Sequence, residues 1–332
     1  MAARGRRKKD KPENTLLTAL QFIASAQRAT GAIEATHCML FGGWAMATNS
    51  VLSAAHALTE DIQACPHTLT LVEALEQSPG PVNLTLLDAS RLSVRSGDFQ
   101  AVIPCIERAA LTVPHPDAAG MLCDDRLRAA LTIVGTLAVD GAEKVINASV
   151  QMRNGSVIAS NGTVILEAWH GIEMPPLQII PKTFITAIQK TKKVITRFGC
   201  SAESFTVWFE DGCWLKTQLY PGTTELPNLD QFLNVPTNPV PVPKALFETV
   251  KRLEPFSEDG QVYFTTDGLR VVSGMTYALD ICKGLPVGIS FSIKNLLLIA
   301  EHAKTIHFNA THGITIFFGD SVRGAIVNQV QG

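Results

Sequence analysis

Ala159-Ser160-Asn161-Gly162 stands between two apolar, β-branched runs, and the chain says it three times. Ala47-Thr48-Asn49-Ser50 precedes it by 112 residues, and Thr265-Thr266-Asp267-Gly268 follows it by 106. Asn or Asp followed by a small residue between alternating segments reads as a tight hairpin turn. A second marker keeps the same beat. Alternating strands break at Ser96-Gly97-Asp98, Asp211-Gly212 and Gly319-Asp320, with the glycines 115 and 107 residues apart. Two markers with one period predict three copies of a unit of about 110 residues. Solenoid and propeller repeats are far shorter, at roughly 20–50 residues.

Within each copy the pattern reads helix, strands, helix, strands. In the first, Leu16, Leu20 and Ile23 form the apolar stripe of a helix. Strands are expected over 32–41 and 44–55, a second helix from Pro66 through Leu75, and closing strands over 82–88 and 91–103. In the second copy, Leu127, Leu131 and Val134 stripe a helix, and 145–169 reads as strands. Pro181 opens a helix running to about 197, and 205–209 and 214–220 close the unit. The third copy gives a helix over 243–253, strands across 262–283, a helix N-capped by Ser292 through Lys304, and closing strands over 305–308, 314–318 and 322–330. The expected fold class is α+β, three tandem units of two helices on antiparallel sheet. The expected divisions are a basic flexible tail at 1–12 and domains at 13–114, 115–235 and 236–332, with Pro-rich linkers at Val113-Pro114-His115-Pro116 and 236–243.

Composition bounds the function. With 332 residues, 46% apolar and 17% charged, the chain can bury several cores and is not disordered in bulk. No apolar run is long enough to span a bilayer, and no secretory signal is expected after the basic N-terminus. Seven cysteines without a C-x-x-C pair predict buried or free thiols, no disulfide framework and no metal site, in a cytoplasmic protein. No P-loop, G-x-S-x-G, H-E-x-x-H or G-x-G-x-x-G is present, so neither a cofactor nor a catalytic motif is expected.

Charge is unevenly spread. MAARGRRKKDK at the N-terminus carries six basic residues and one acid, leaving 22 basic against 29 acidic residues in the body. On a helix from Pro181, Lys182, Lys190, Lys193 and Arg197 share one arc opposite Phe184, Ile188 and Ile195. Lys244, Lys251 and Arg252 lie similarly opposite Leu246, Val250 and Leu253, with Arg28 and Lys294 as additions from other copies. Basic stripes on an acidic body suit sequence-blind contact with phosphates.

Val157-Ile158-Ala159-Ser160-Asn161-Gly162, Leu226-Pro227-Asn228-Leu229 and the terminal segment from Gly324 to Val330, placed on this triple repeat, resemble the bacterial-type sliding clamp, the beta subunit of DNA polymerase III. The likeness spans essentially the whole chain after the basic tail. It implies a head-to-tail homodimeric ring around duplex DNA, lined by helices, that tethers DNA polymerase and meets a clamp loader. It implies a non-catalytic processivity factor of DNA replication. It also implies a pocket for a short hydrophobic peptide, built from Ser160, Gly162, Thr163, Val164 and Ile165, from Pro227, Gln231 and Phe232, and from Ile326, Val327, Asn328 and Val330. The turn Ser-Asn-Gly-Thr-Val and the C-terminus depart from the family pattern, as in a divergent clamp of a phage or other mobile element. Two other readings stay open: a non-ring scaffold or decoy of the same fold, and a hydrolase whose site assembles only in the fold.

Overall fold

The computed structural model describes residues 15–60, 62–175, 177–222, 224–273, 276–280, 284–309 and 313–330. The basic segment 1–12 lies outside them. The chain forms two compact units, one of Met1–Leu122 with Ala187–Gln218, the other of Cys123–Thr186 with Leu219–Gly332. Both are α+β with antiparallel sheets.

The first unit holds a seven-stranded sheet in the order Met39–Phe41, Trp44–Thr48, Leu52–Ala57, Trp214–Gln218, Ser204–Phe209, Ile195–Cys200, Met121–Leu122. A three-stranded sheet runs Asn83–Asp88, Arg91–Ser96, Phe99–Pro104. Helix Thr15–Ile23 buries Leu16, Leu20 and Ile23 as its stripe requires. Phe22 adds an edge-on contact to Phe209 with ring centroids 5.7 Å apart. Helix Thr68–Gln77 starts just after Pro66, and His67 caps it by accepting from the Thr70 backbone N–H. The expected strand over 32–41 is shorter. Its first half is the helical turn Ile33–Thr36, where the Thr36 hydroxyl bonds back to the Ile33 carbonyl at 3.2 Å.

The second unit holds an eight-stranded sheet ordered Gln178–Pro181, Ser149–Arg153, Ser156–Ser160, Val164–Trp169, Val322–Val327, Ile314–Phe318, Thr305–His307, Val240–Pro241. A five-stranded sheet runs Thr276–Asp280, Gly268–Ser273, Gln261–Thr265, Ile289–Ser292, Gln329–Val330. Asp124 caps helix Asp125–Gly135 by accepting from the Arg126 N–H at 3.0 Å. Helix Leu246–Leu253 buries Leu246, Val250 and Leu253. Three expectations shift here. Residues Val145–Ala148 are helical before the first strand, and the helix after Ser292 stops at Leu298, with no side-chain bond from Ser292. The Pro-rich 236–243 segment is not merely a linker, since Val240–Pro241 pairs with Thr305–His307 as an edge strand.

The helix expected from Pro181 to about 197 ends early. It spans Lys182–Thr191, Lys192 takes a left-handed φ of 52°, and Ile195–Cys200 is a strand. The run Val194-Ile195-Thr196 is β-branched and loses rotamer freedom in a helix. In the sheet, Ile195 and Phe198 are buried and pair with Phe209 and Val207. Arg197 therefore lies on a strand, outside the helical arc that sequence periodicity assigns it.

The repeated turn is one piece of chemistry used more than once. Asn49 Oδ1 accepts from the N–H groups of Val51 and Leu52 at 3.1 and 2.8 Å. Asn161 Oδ1 does the same for Thr163 and Val164 at 3.0 and 2.8 Å. The hydroxyls of Thr48 and Ser160 each accept from the N–H two residues on. Ser50 and Gly162 both take positive φ, 73° and 90°, the left-handed conformation such a turn needs. In the third copy Gly268 has a φ of 138°, and the Thr265 hydroxyl bonds the Gly268 carbonyl at 2.9 Å.

Candidate functional site

The second turn differs from the others in what lies beside it. Strand Val164–Trp169 pairs with Ser156–Ser160 on one side and Val322–Val327 on the other. Side chains alternate across a sheet, so Ile165 joins Ile158, Ile316 and Ala325 on one face. Leu229 and Leu233, from the segment after Pro227, are buried against that face. Between the turn, the face and this segment lies a cavity of about 250 Å³. Ser160, Gly162, Thr163 and Ile165 line it from the hairpin, and Ile314, Ala325, Ile326 and Val327 from the neighbouring strands. Pro227, Leu229 and Phe232 close one side, and Ile146 and Asn147 another.

Polar groups fix these walls. Asn228 Oδ1 accepts from the Asp230 N–H at 3.0 Å and starts the short helix Asp230–Leu233. Arg153 Nη1 holds Asp230 Oδ1 at 2.9 Å. Arg323 Nη1 donates to Asn234 Oδ1 at 3.1 Å while its Nε binds buried Glu167 at 2.6 Å. On the hairpin, the Thr163 hydroxyl donates to Asn161 Oδ1 and accepts from Asn295 Nδ2, both at 2.9 Å. Asn147 Oδ1 and Asn328 Nδ2 are buried with no hydrogen-bond partner among the described residues. Of the two, Asn147 faces the cavity. The result is an apolar recess with a pinned wall and an unsatisfied amide.

The basic candidates fall into two groups. Lys182 donates to the Gly135 carbonyl, and burial lowers its pKa against the opposing pull of Asp140. Lys193 is ion-paired with Asp211, and Arg252 with Asp280 at 2.7 Å. Arg197 is exposed and its guanidinium lies over the Trp208 ring, 5.6 Å from the centroid. Arg28, Lys190, Lys244, Lys251 and Lys294 are exposed.

No protein-family model and no curated protein matches the sequence. Solved structures do. The beta sliding clamp of C. crescentus superposes with a TM-score of 0.80 at 15% identity, over 95% of this chain and 97% of that one. The DNA polymerase sliding clamp of Pseudomonas aeruginosa gives 0.78 at 12%, over 95% and 97%. The DNA polymerase III beta subunit of Bartonella birtlesii, bound to griselimycin, gives 0.79 at 15%, over 95% and 96%. The fold is that of the bacterial beta sliding clamp.

On this clamp fold, eight of the twelve residues assigned to a pocket by resemblance line the cavity: Ser160, Gly162, Thr163, Ile165, Pro227, Phe232, Ile326 and Val327. Val164 does not. It is fully buried, next to Ile165 in a strand, so its side chain turns to the opposite face. Gln231 is exposed outside the lining, and Asn328 is buried beside it, accepting from the Thr315 hydroxyl at 3.0 Å. Val330 lies on the strand Gln329–Val330 of the five-stranded sheet. Sequence reasoning missed Ile146, Asn147, Leu229, Ile314 and Ala325. Leu229 and Ala325 carry a readable signal, since each sits inside a stretch already singled out. Ile146 and Asn147 carry none, because their segment reads as a strand.

Proposed function

We propose that this protein is a sliding clamp: two copies close into a ring around duplex DNA, and the Ser160–Phe232 cavity tethers a DNA polymerase through a short hydrophobic peptide. A clamp loader would use the same cavity. Each chain would contribute three domains, over 13–114, 115–235 and 236–332. In this reading the protein has no catalytic step and needs no cofactor.

The arrangement of the sheets carries the reading. The seven-stranded sheet joins strands of the first and second repeats, and the eight-stranded sheet joins strands of the second and third. The closing strands of the first repeat form a three-stranded sheet, and the opening strands of the third lie in a five-stranded one. Their outer strands Asn83–Asp88 and Thr276–Asp280 have no neighbour on the far side among the described residues. Exposed Leu86 and Leu87 mark the first, and exposed Leu279 the second. Open apolar edges are templates for pairing. Joined between copies, they make another eight-stranded sheet and continue the first-second, second-third alternation into a closed ring.

The cavity supports the tether. Its volume is below the roughly 300–1,000 Å³ of whole small-molecule sites, so it suits peptide side chains better than a nucleotide. Exposed Arg28, Lys190, Arg197, Lys244, Lys251 and Lys294 supply diffuse phosphate contact that lets DNA slide. The deciding experiment loads the protein onto a primed circular DNA. The ring reading expects retention on circles and loss on linearisation. Equal retention on both refutes it, and a monomer in sedimentation at micromolar concentration points to a non-ring scaffold instead.

A further inference from the structure

We infer a divalent-metal site of the zinc type at His56, Asp211 and Cys213, occupied in the metal-free protein by the ammonium of Lys193. The sheet builds it. Trp214 pairs with Ala55, which places Cys213 beside His56 where the two strands end. Asp211 comes from the turn just before Cys213. One donor atom from each of the three lies within 4.8 Å of the others.

The imidazole is set up as a ligand. His56 Nδ1 is 2.8 Å from the Ala57 carbonyl, a contact that needs the proton on Nδ1, and the Lys193 ammonium 3.1 Å from Nε2 makes that nitrogen the acceptor. A backbone carbonyl on the far nitrogen is the arrangement that orients metal-bound histidines. Nε2 then faces Asp211 Oδ2 at 3.5 Å. Two lone-pair atoms facing at that distance require a cation beside them. Lys193 Nζ supplies it, 3.1 Å from Nε2, 3.6 Å from Cys213 Sγ and ion-paired with Asp211 Oδ2. One ammonium thus touches all three donors.

An imidazole nitrogen, a carboxylate oxygen and a thiolate form a donor set that zinc accepts, with water in the fourth position. The charges balance. Without metal the site holds a carboxylate, a neutral thiol, a neutral imidazole and one ammonium. Binding of Zn²⁺ releases the Cys213 proton and displaces the Lys193 ammonium, so two positive charges leave as two arrive. Burial and the Asp211 carboxylate push the thiol pKa up, so the metal has to compete for this sulfur. The displaced ammonium has somewhere to go. A groove of about 420 Å³ opens beside it, lined by Gln21, Phe22, Ser25, Lys190 and Thr191. The Phe22 ring lies 5.0 Å from Nζ at its edge.

The test uses Co²⁺ as a spectroscopic stand-in for Zn²⁺ with the full chain. The wild type is expected to develop a thiolate-to-cobalt charge-transfer band and tetrahedral d–d bands, both abolished by stoichiometric Zn²⁺. Cys213→Ser is expected to lose the charge-transfer band, and Lys193→Met, with no ammonium to displace, to bind at least tenfold more tightly. If Cys213→Ser does not fold, His56→Gln replaces it and is expected to bind at least tenfold more weakly. Four outcomes each overturn the inference: no band in wild type or Lys193→Met at millimolar cobalt, a band that survives Cys213→Ser, unchanged affinity in Lys193→Met, or unchanged affinity in His56→Gln.

Discussion

Val164 and Phe232 are the residues to separate. Resemblance puts both in the peptide pocket, whereas the strand turns Val164 away and leaves Phe232 partly buried at the cavity wall. A phenylalanine buries on the order of 150–250 Å² when fully covered, and the fold already covers most of Phe232, so roughly 50 Å² is left for a ligand to cover here. At about 25 cal/mol per Å², Phe232→Ala then costs a bound peptide about 1.2 kcal/mol, roughly eightfold in affinity. Phe232 also packs against the cluster of Leu229 and Leu233, so the variant should lose about 1–2 kcal/mol of folding free energy as well. Val164→Ala should lose folding free energy alone. Removing two fully buried methyl groups costs about 1.5–3 kcal/mol of folding free energy once the residual cavity is included, with peptide affinity within twofold of wild type. The assay is fluorescence anisotropy with a short hydrophobic peptide selected on the wild type, paired with urea unfolding of each variant. If Phe232→Ala binds within threefold of wild type, or Val164→Ala weakens binding as much as it does, the assignment of faces is wrong.

Four further outcomes follow from particular contacts. A Cβ at Gly324 would collide with the Ile165 carbonyl and the Phe317 ring, so Gly324→Ala should cost about 1–3 kcal/mol or more in urea unfolding. Lys193→Glu would set a second carboxylate against Asp211 inside a half-buried site and should lower the melting temperature, while Lys190→Glu on the exposed helix face should leave it unchanged and weaken DNA loading. Leu86→Glu, on an open edge strand, should shift the protein to monomer in sedimentation without unfolding it. His37 and His170 are both held below the ordinary imidazole pKa of 6.5, in each case chiefly by burial. The folded form resists protonation that the unfolded chain accepts. Stability should therefore be full above about pH 6.5 and fall as the pH drops toward 5, as followed by urea midpoints, with a weaker slope in His37→Asn/His170→Asn. Asp211, which partial burial would raise, is held at about 2 by hydrogen bonds from Cys213 and Lys193, so it stays ionised across that window.

Much of the fold was legible because it rests on local patterns. The stripe of Leu16, Leu20 and Ile23, the turns at Asn49 and Asn161, and the break at Gly97 each report their own geometry within a few residues. Sequence reading failed where two local preferences compete and tertiary pairing decides. Residues 192–197 continue the helical spacing of their lysines, yet Ile195 and Phe198 are worth more in the sheet beside Phe209 and Val207. The four residues of Val145–Ala148 look like a strand and form a helical turn. Eight of the twelve residues named by resemblance line the cavity, but resemblance cannot tell Val164 from Ile165. Adjacent strand residues differ by a face, and only the register shows which one faces the cavity.

The pocket wall shows why three copies of one turn need not do one job. Asn49 and Asn161 organise their hairpins by the same two backbone bonds, so the turn by itself is structural in both. The second copy is set apart by the segment laid against its sheet. Arg153 holds Asp230, Arg323 holds Asn234, and Leu229 and Leu233 sit on the face that carries Ile165. An unpinned segment could collapse onto that face and fill the recess with its own side chains. Held at two points by arginines, it keeps Phe232 at the rim and the recess open before any ligand arrives. Removing one pin should therefore weaken peptide binding more than folding. For Arg153→Met the ion pair is partly exposed, which limits the stability loss to about 1 kcal/mol or less. The affinity should drop further than that, because the bound peptide must then order the segment as well. Equal losses in urea unfolding and in peptide anisotropy would mean that the arginine holds the fold alone, and that the recess needs no pin to stay open.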